Sequence, residues 1–184
     1  KKMTLLAGAI SSVLSGAALA DINDVIITEY VESSVDPYAI NSAIEITNFG
    51  TSDFTFTDHA LYYSKYNNKV LKPDDSTPVL ENVTIPAGKS IIVVADNATQ
   101  DLKDAVAANN ATIVFSGSYN DTSGGTAIGH DALNFNGDDA VWIGAATDHT
   151  NVHDIIGVSD STWGKAVTLR RTNDAKSPDS SYEA

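Results

Sequence analysis

The side chains best able to do chemistry fall in a few short stretches. Asp148-His149-Thr150-Asn151-Val152-His153-Asp154 sets two imidazoles between two carboxylates, which suits Zn²⁺ if further ligands converge from elsewhere. Spacing argues against it. On a strand His149 and His153 share a face but lie about 13 Å apart, too far to share an ion. The expectation is a polar loop leading into a strand over 152–156. Asn136-Gly137-Asp138-Asp139 offers oxygens for Ca²⁺, a hard cation that takes 6–8 of them, with Asp138 and Asp139 as the candidate ligands. The EF-hand spacing and its twelfth-position Glu are missing. Asn-Gly is also the strongest hairpin signal in the chain, so a turn is expected and Ca²⁺ stands as the alternative cofactor.

Glu29 and Glu45 each interrupt an apolar strand. A carboxylate pair held about 5–9 Å apart can cleave glycosides. Alternation puts each on the polar face of its strand, however, so pairing with Arg170 or Arg171 across the sandwich is the expected role. Arg170, Arg171, Lys165 and Lys176 form the only basic cluster and are the candidates for anion binding. Trp142 and Trp163 are stacking platforms or buried anchors, and buried anchors are the default in a domain of this size. There is no G-x-S-x-G elbow, no H-E-x-x-H helix and no phosphate-cradling glycine loop.

Composition bounds what these residues serve. The chain has 184 residues, 11 Lys+Arg against 24 Asp+Glu, and a net charge of −13. Hydrophobic residues make up 42%, enough for a packed core. The absence of cysteine excludes disulfides, thiolate metal sites and a cysteine nucleophile. Acidity argues against docking on phosphate backbones, where Lys and Arg are rewarded by counterion release.

Residues 1–20 read as a signal peptide. Lys1-Lys2 is followed by an apolar stretch from Leu5 to Leu14, and Ala18-Leu19-Ala20 supplies the cleavage site before Asp21. The stretch is too short for a membrane span, which needs about 20 apolar residues. Cleavage removes two of the basic residues and leaves −15. An exported, cysteine-free domain large enough to stand without disulfides points to a bacterial route, with a periplasmic or extracellular destination.

The remainder reads as short strands between turns. They are expected at 25–31, 43–47, 61–64, 83–85, 91–95, 112–115, 132–135, 140–143, 152–156 and 166–170. Asn48 to Ser52 turns the chain, and Pro86-Ala87-Gly88 forms a type I or II turn with Pro at its second position. One helix follows a Thr99 cap, with Leu102, Ala105 and Val106 on one face. Short strands with regular turn signals and a single helix predict an all-β sandwich.

Seven motifs occur in order: Ile27-Thr28-Glu29-Tyr30, Ala43 to Asn48, Ile85 to Gly88, Leu133 to Val141, Asp154-Ile155-Ile156-Gly157, Trp163-Gly164 and Thr168-Leu169-Arg170-Arg171. As a set this resembles the lamin-tail domain, most closely the bacterial branch at the front of secreted nucleases of the endonuclease/exonuclease/phosphatase type. The resemblance covers Asp24 to about Arg171. It implies an immunoglobulin-like β-sandwich over 21–172, with a polar tail over 173–184 cut short from a longer polypeptide; the polar residues from Pro178 onward are themselves expected to be frayed or cut short. It further implies a non-catalytic accessory module that binds, positions or scaffolds, with a nuclease domain in the same polypeptide as its partner. No membrane contact is expected after cleavage. Direct nucleic-acid binding is disfavoured by the charge. The alternative is a Ca²⁺-dependent or hydrolytic domain in its own right.

Overall fold

β-Branched and aromatic residues at alternating positions bury one edge of each strand and commit the chain to sheets. The computed structural model describes residues 20–33, 41–64, 80–95, 98–108, 112–116, 133, 135, 137–158 and 161–181. The expected signal peptide lies almost wholly outside them. Among the described residues are β1 (Val25–Ser33), β2 (Asn41–Asn48), β3 (Phe54–Thr55), β4 (His59–Ser64), β5 (Thr84–Ile85), β6 (Ser90–Ala95), β7 (Thr112–Ser116), β8 (Ala140–Ala145), β9 (Asp148–Ile156) and β10 (Thr168–Arg170), with one helix, α1 (Gln100–Ala108). They form an immunoglobulin-like β-sandwich. No helix among the described residues is long and apolar enough to cross a membrane.

One sheet has the order β10-β1-β2-β6-β7 and the other β4-β8-β9, with β3 and β5 pairing separately. Alternation fills the space between the sheets. Ile44 and Ile46 of β2 and Ile91 and Val93 of β6 meet Leu61 and Tyr63 of β4 and Val141 and Ile143 of β8 in one cluster. The opposite face of the larger sheet is split in two. Ala43, Val94, Ile92 and Ile113 take the apolar side of α1 through Val106 and Leu102, while the remainder of that face is polar. β6 and β7 run parallel, so α1 is the crossover between them. Thr99 turns its hydroxyl to Asn41 Oδ1 at 3.0 Å, fixing the helix start to β2.

A β-bulge interrupts β1. Pairing with β2 shifts between Ile27 and Glu29, so Thr28 is the extra residue and both Thr28 and Glu29 reach the outer face. β10 pairs with β1 only over Glu29 to Val31, so the backbone groups of Ile27, next to the bulge, are filled from far along the chain by side chains. Asp154 of β9 accepts the Ile27 N–H at 2.7 Å, and Arg171 donates from Nε to the Ile27 carbonyl at 2.7 Å. Arg171 also donates to Asp154 Oδ1, which accepts the Asp179 N–H at 2.8 Å. Asp154 is fully buried, and its oxygens hold both sheets and the segment beyond β10 at one point.

Three expectations are corrected. Ala132, Asn134 and Asn136 of the expected strand and hairpin turn lie outside the described residues; of the rest, Leu133 lies in a turn and Phe135 in coil, both buried in the core and not in a strand. Gly137, at φ +89°, instead accepts N–H groups from Trp163 and Gly164 at 3.0 and 2.9 Å. A short-range turn signal has been overridden by a long-range contact that only glycine admits, since a Cβ there would meet the Lys165 backbone at 2.3 Å. The tail is not frayed at Asp179, whose carbonyl accepts the Ile155 N–H at 2.9 Å on the edge of β9. Pro86 stands at the first position of its turn, accepting from Lys89 N at 3.0 Å, with Gly88 at φ +65°. The turn after Asn48 stands as expected, with its buried side chain bonding Ser52 O, Ile85 O and Gly50 N.

Arg171→Met should leave Asp154 buried without its cation and cost about 3–5 kcal/mol in urea unfolding. Asp154→Asn/Arg171→Met should cost less than the two single changes together. Gly157→Ala should also destabilise, because φ is +81° and the new methyl would fall 1.9 Å from the Trp163 ring; a thermal melt within 1 °C (about the noise of such a scan) of the parent would contradict this.

Candidate functional site

The polar part of the larger sheet's outer face is the floor of an open groove of about 1060 Å³. Several strands and the segment after β10 make it. β1, with its bulge, supplies Thr28 and Glu29. β2 and β6 supply Glu45, Thr47 and Ser90, and the segment after β10 closes one rim with Lys176. The floor is a connected hydroxyl ladder: Thr28 Oγ1 donates to Glu45 Oε2 at 2.8 Å and pairs with Thr47 Oγ1 at 2.8 Å, and Thr47 pairs with Ser90 at 2.8 Å. Phe49, 39% exposed, stands on the rim with the Lys176 ammonium 5.7 Å from its ring centroid. Lys89, exposed in the turn before β6, lines the groove as well.

Glu29 and Glu45 face each other directly across β1 and β2, and Arg170 faces Glu29 from the other side. Two like charges in register repel, so a cation alongside is needed. Arg170 Nε donates to Glu29 Oε1 at 2.9 Å. The expected Glu29–Arg170 partnership therefore exists, but between neighbouring strands of one sheet and not across the sandwich. Exposure of the Arg170 side chain limits its worth to at most about 1 kcal/mol. Arg171 does the cross-sandwich work instead, with Asp154. Burial pushes the Asp154 carboxyl up, against the N–H groups of Asp179 and Ile27 and the Arg171 guanidinium, which pull it down.

The anion-binding candidates divide. Arg170, Arg171 and Lys176 share the groove, whereas Lys165 is exposed but does not line it. Asp138 and Asp139 point apart: Asp138 is exposed and Asp139 buried. Among the described residues no three His, Cys, Asp or Glu side chains are grouped to hold a metal ion.

His149 and His153 do not lie in a polar loop. Both belong to β9, where shifts of register against Gly144 and Ala145 add residues and change the strand's parity. His149 packs on Tyr62, in the outer cluster of the smaller sheet, at 6.4 Å between centroids. His153 meets His59 at 5.9 Å, and its Nε2 bonds the Val25 carbonyl at 3.0 Å. His59 shares the face of Leu61 and Tyr63, so the two imidazoles of the motif are on opposite faces. Trp142 is fully buried and donates from Nε1 to His149 O at 2.9 Å; Trp163 is partly buried against Tyr30 at 4.8 Å. Both act as anchors.

Residue type alone did not mark Phe49, Lys89 and Thr28. The exposed aromatic beside the Asn48 turn was a usable signal for the first; the bulge left none. Compared with protein-family models, curated proteins and solved structures, the chain matches none.

Burial pushes the His153 imidazole down; the carbonyls of Val25 and Ile22 and the Asp154 carboxylate oppose this, while His59 adds to it. A depressed folded value keeps His153 neutral where the unfolded chain, near pH 6.5, is taking up its proton. That stability is present above about pH 6.5 and is lost as pH falls through the lower folded value. Asp154 works in the opposite sense, so a variant comparison isolates the histidine. The urea midpoint should fall from pH 7.5 to 5.5, and His153→Gln should reduce the fall.

Proposed function

We propose that this chain is a non-catalytic binding module of the lamin-tail type, part of an exported bacterial protein in which it positions a nuclease domain. The observation that carries the reading is where the seven motifs go. Ile27 to Tyr30, Asp154 to Gly157 and Thr168 to Arg171 meet at the buried Asp154 junction. Trp163-Gly164 closes on Gly137 and Tyr30, and Asn48 bonds the Ile85 carbonyl. Residues that give the resemblance are thus spent on holding the sandwich together. Their chemistry is structural, and the surface left for a ligand is the groove on the outer face.

Glu29 and Glu45 support the non-catalytic reading. Glu29 is paired with Arg170 and Glu45 accepts from Thr28, so each carboxylate already has a structural partner. The module should not hydrolyse plasmid DNA or bis(p-nitrophenyl) phosphate with Mg²⁺, Mn²⁺ or Ca²⁺. Its melting temperature should be unchanged by Ca²⁺. Phosphodiester hydrolysis abolished by Glu29→Gln, or a Ca²⁺-dependent rise in melting temperature lost in Asp138→Asn, would replace this reading with the hydrolytic or Ca²⁺-dependent one. Sequencing the mature N-terminus tests export, with Asp21 as the expected first residue.

A further inference from the structure

The charge of the chain is unevenly placed. Nine basic residues follow position 20, and four of them, Lys89, Arg170, Arg171 and Lys176, line the one groove on the outer sheet face. Among the described residues only two carboxylates, Glu29 and Glu45, line it with them. A chain of net −13 therefore carries a locally positive surface. Arg170 and Arg171 are already committed, to Glu29 and Asp154. Lys89 and Lys176 stand on the rims, one in the turn before β6 and the other beyond β10.

Three chemistries meet there. The rim ammoniums suit an anionic group. The ladder of Thr28, Thr47 and Ser90, ending on the Glu45 carboxylate, suits a ligand rich in hydroxyls, because carboxylates and hydroxyl oxygens accept O–H donors. Phe49 offers one of the two large hydrophobic side chains exposed among the described residues, a flat surface for a ring carrying C–H bonds. The turn at Gly88 leaves open space on its side, with no atom within 4 Å of where a Cβ would stand. A volume of about 1060 Å³ is room for several sugar rings.

We propose that the groove binds a carboxylated glycan, a chain of uronic-acid-type sugars. In this arrangement Phe49 stacks on a ring, Lys89 and Lys176 take carboxylates, and Glu45 with the hydroxyl ladder receives sugar hydroxyls. A phosphodiester chain fits less well. It asks for a cation at every phosphate, and two of the four here are already paired within a strongly acidic molecule. The proposal rests on the binding-module reading and names its ligand class.

The test is isothermal titration of the chain with an oligogalacturonate hexamer, with cellohexaose as the neutral counterpart and a thymidine hexanucleotide as the phosphodiester one. The hexuronate should bind and cellohexaose should bind at least tenfold more weakly. Phe49→Ala should weaken hexuronate binding up to about tenfold, the upper range for one aromatic contact. Lys89→Ala/Lys176→Ala should bring the affinity down to that for cellohexaose. All three positions are exposed, so unchanged urea curves should accompany these losses, and a binding loss that tracks unfolding would overturn the assignment. So would equal binding of both glycans, no binding of either, or tighter binding of the hexanucleotide. The last result would leave a binding module with a different ligand, whereas hydrolysis of the hexanucleotide would remove the module reading itself.

Discussion

A carboxylate buried at the meeting point of two sheets sets the conditions for the rest of this protein. Beside a bulge in a central strand, where β10 pairing has ended, Ile27 has an N–H and a carbonyl without ladder partners, and buried backbone groups of that kind must be satisfied. Asp154 and Arg171 satisfy both, and each also satisfies the other. Burying two charges is costly, and the arrangement stands only because every remaining bond is made, with the Asp179 N–H completing the set. The ion pair and the Ile27 backbone thus satisfy one another. Neither sheet can slide by one residue against the other without breaking both.

The same bulge shapes the surface. By placing Thr28 and Glu29 together on the outer face, it extends the polar floor by one residue beyond what simple alternation allows. Where alternation continues undisturbed, Ala43, Val94 and Ile92 present an apolar patch that α1 covers. One sheet face is thus half covered by a helix and half open as a groove. The boundary runs through β2, where Ala43 lies under the helix and Glu45, two residues on, lies in the groove.

Sequence patterning was most informative where burial is local and regular. Ile44-Glu45-Ile46 and the run from Ile91 to Ala95 identify their strands because a period of two leaves one assignment open. α1 is legible from its apolar spacing, and the roles of Trp142 and Glu29 follow from burial and polarity alone. Reasoning failed where a residue answers to something distant. Asn136-Gly137 has every local mark of a hairpin, yet Gly137 is needed by the Trp163–Gly164 backbone. His149 and His153 read as a polar loop leading into a strand, because the polar residues give no sign that β9 starts at Asp148 and takes up extra residues by irregular pairing. Asp154 looked like one acid in a polar stretch, since nothing near it in sequence says that Ile27 lacks a partner. The groove was half visible: Arg170, Arg171 and Lys176 cluster in sequence, while Phe49 and Lys89 come from other turns.

Because Ile27 and the groups that complete it are 127 and 144 positions apart in the chain, timing enters the picture. A ribosome adds about 5–20 residues per second, so roughly 7–30 s separate the emergence of Ile27 from that of Arg171. β1, β2 and β6 can pair within that interval, but the site at the bulge stays hydrated and the two sheets are not locked together. The bonds at Ile27 wait for β9 and for the residue that follows β10. Until then the set of bonds that ties the two sheets together at Ile27 is incomplete.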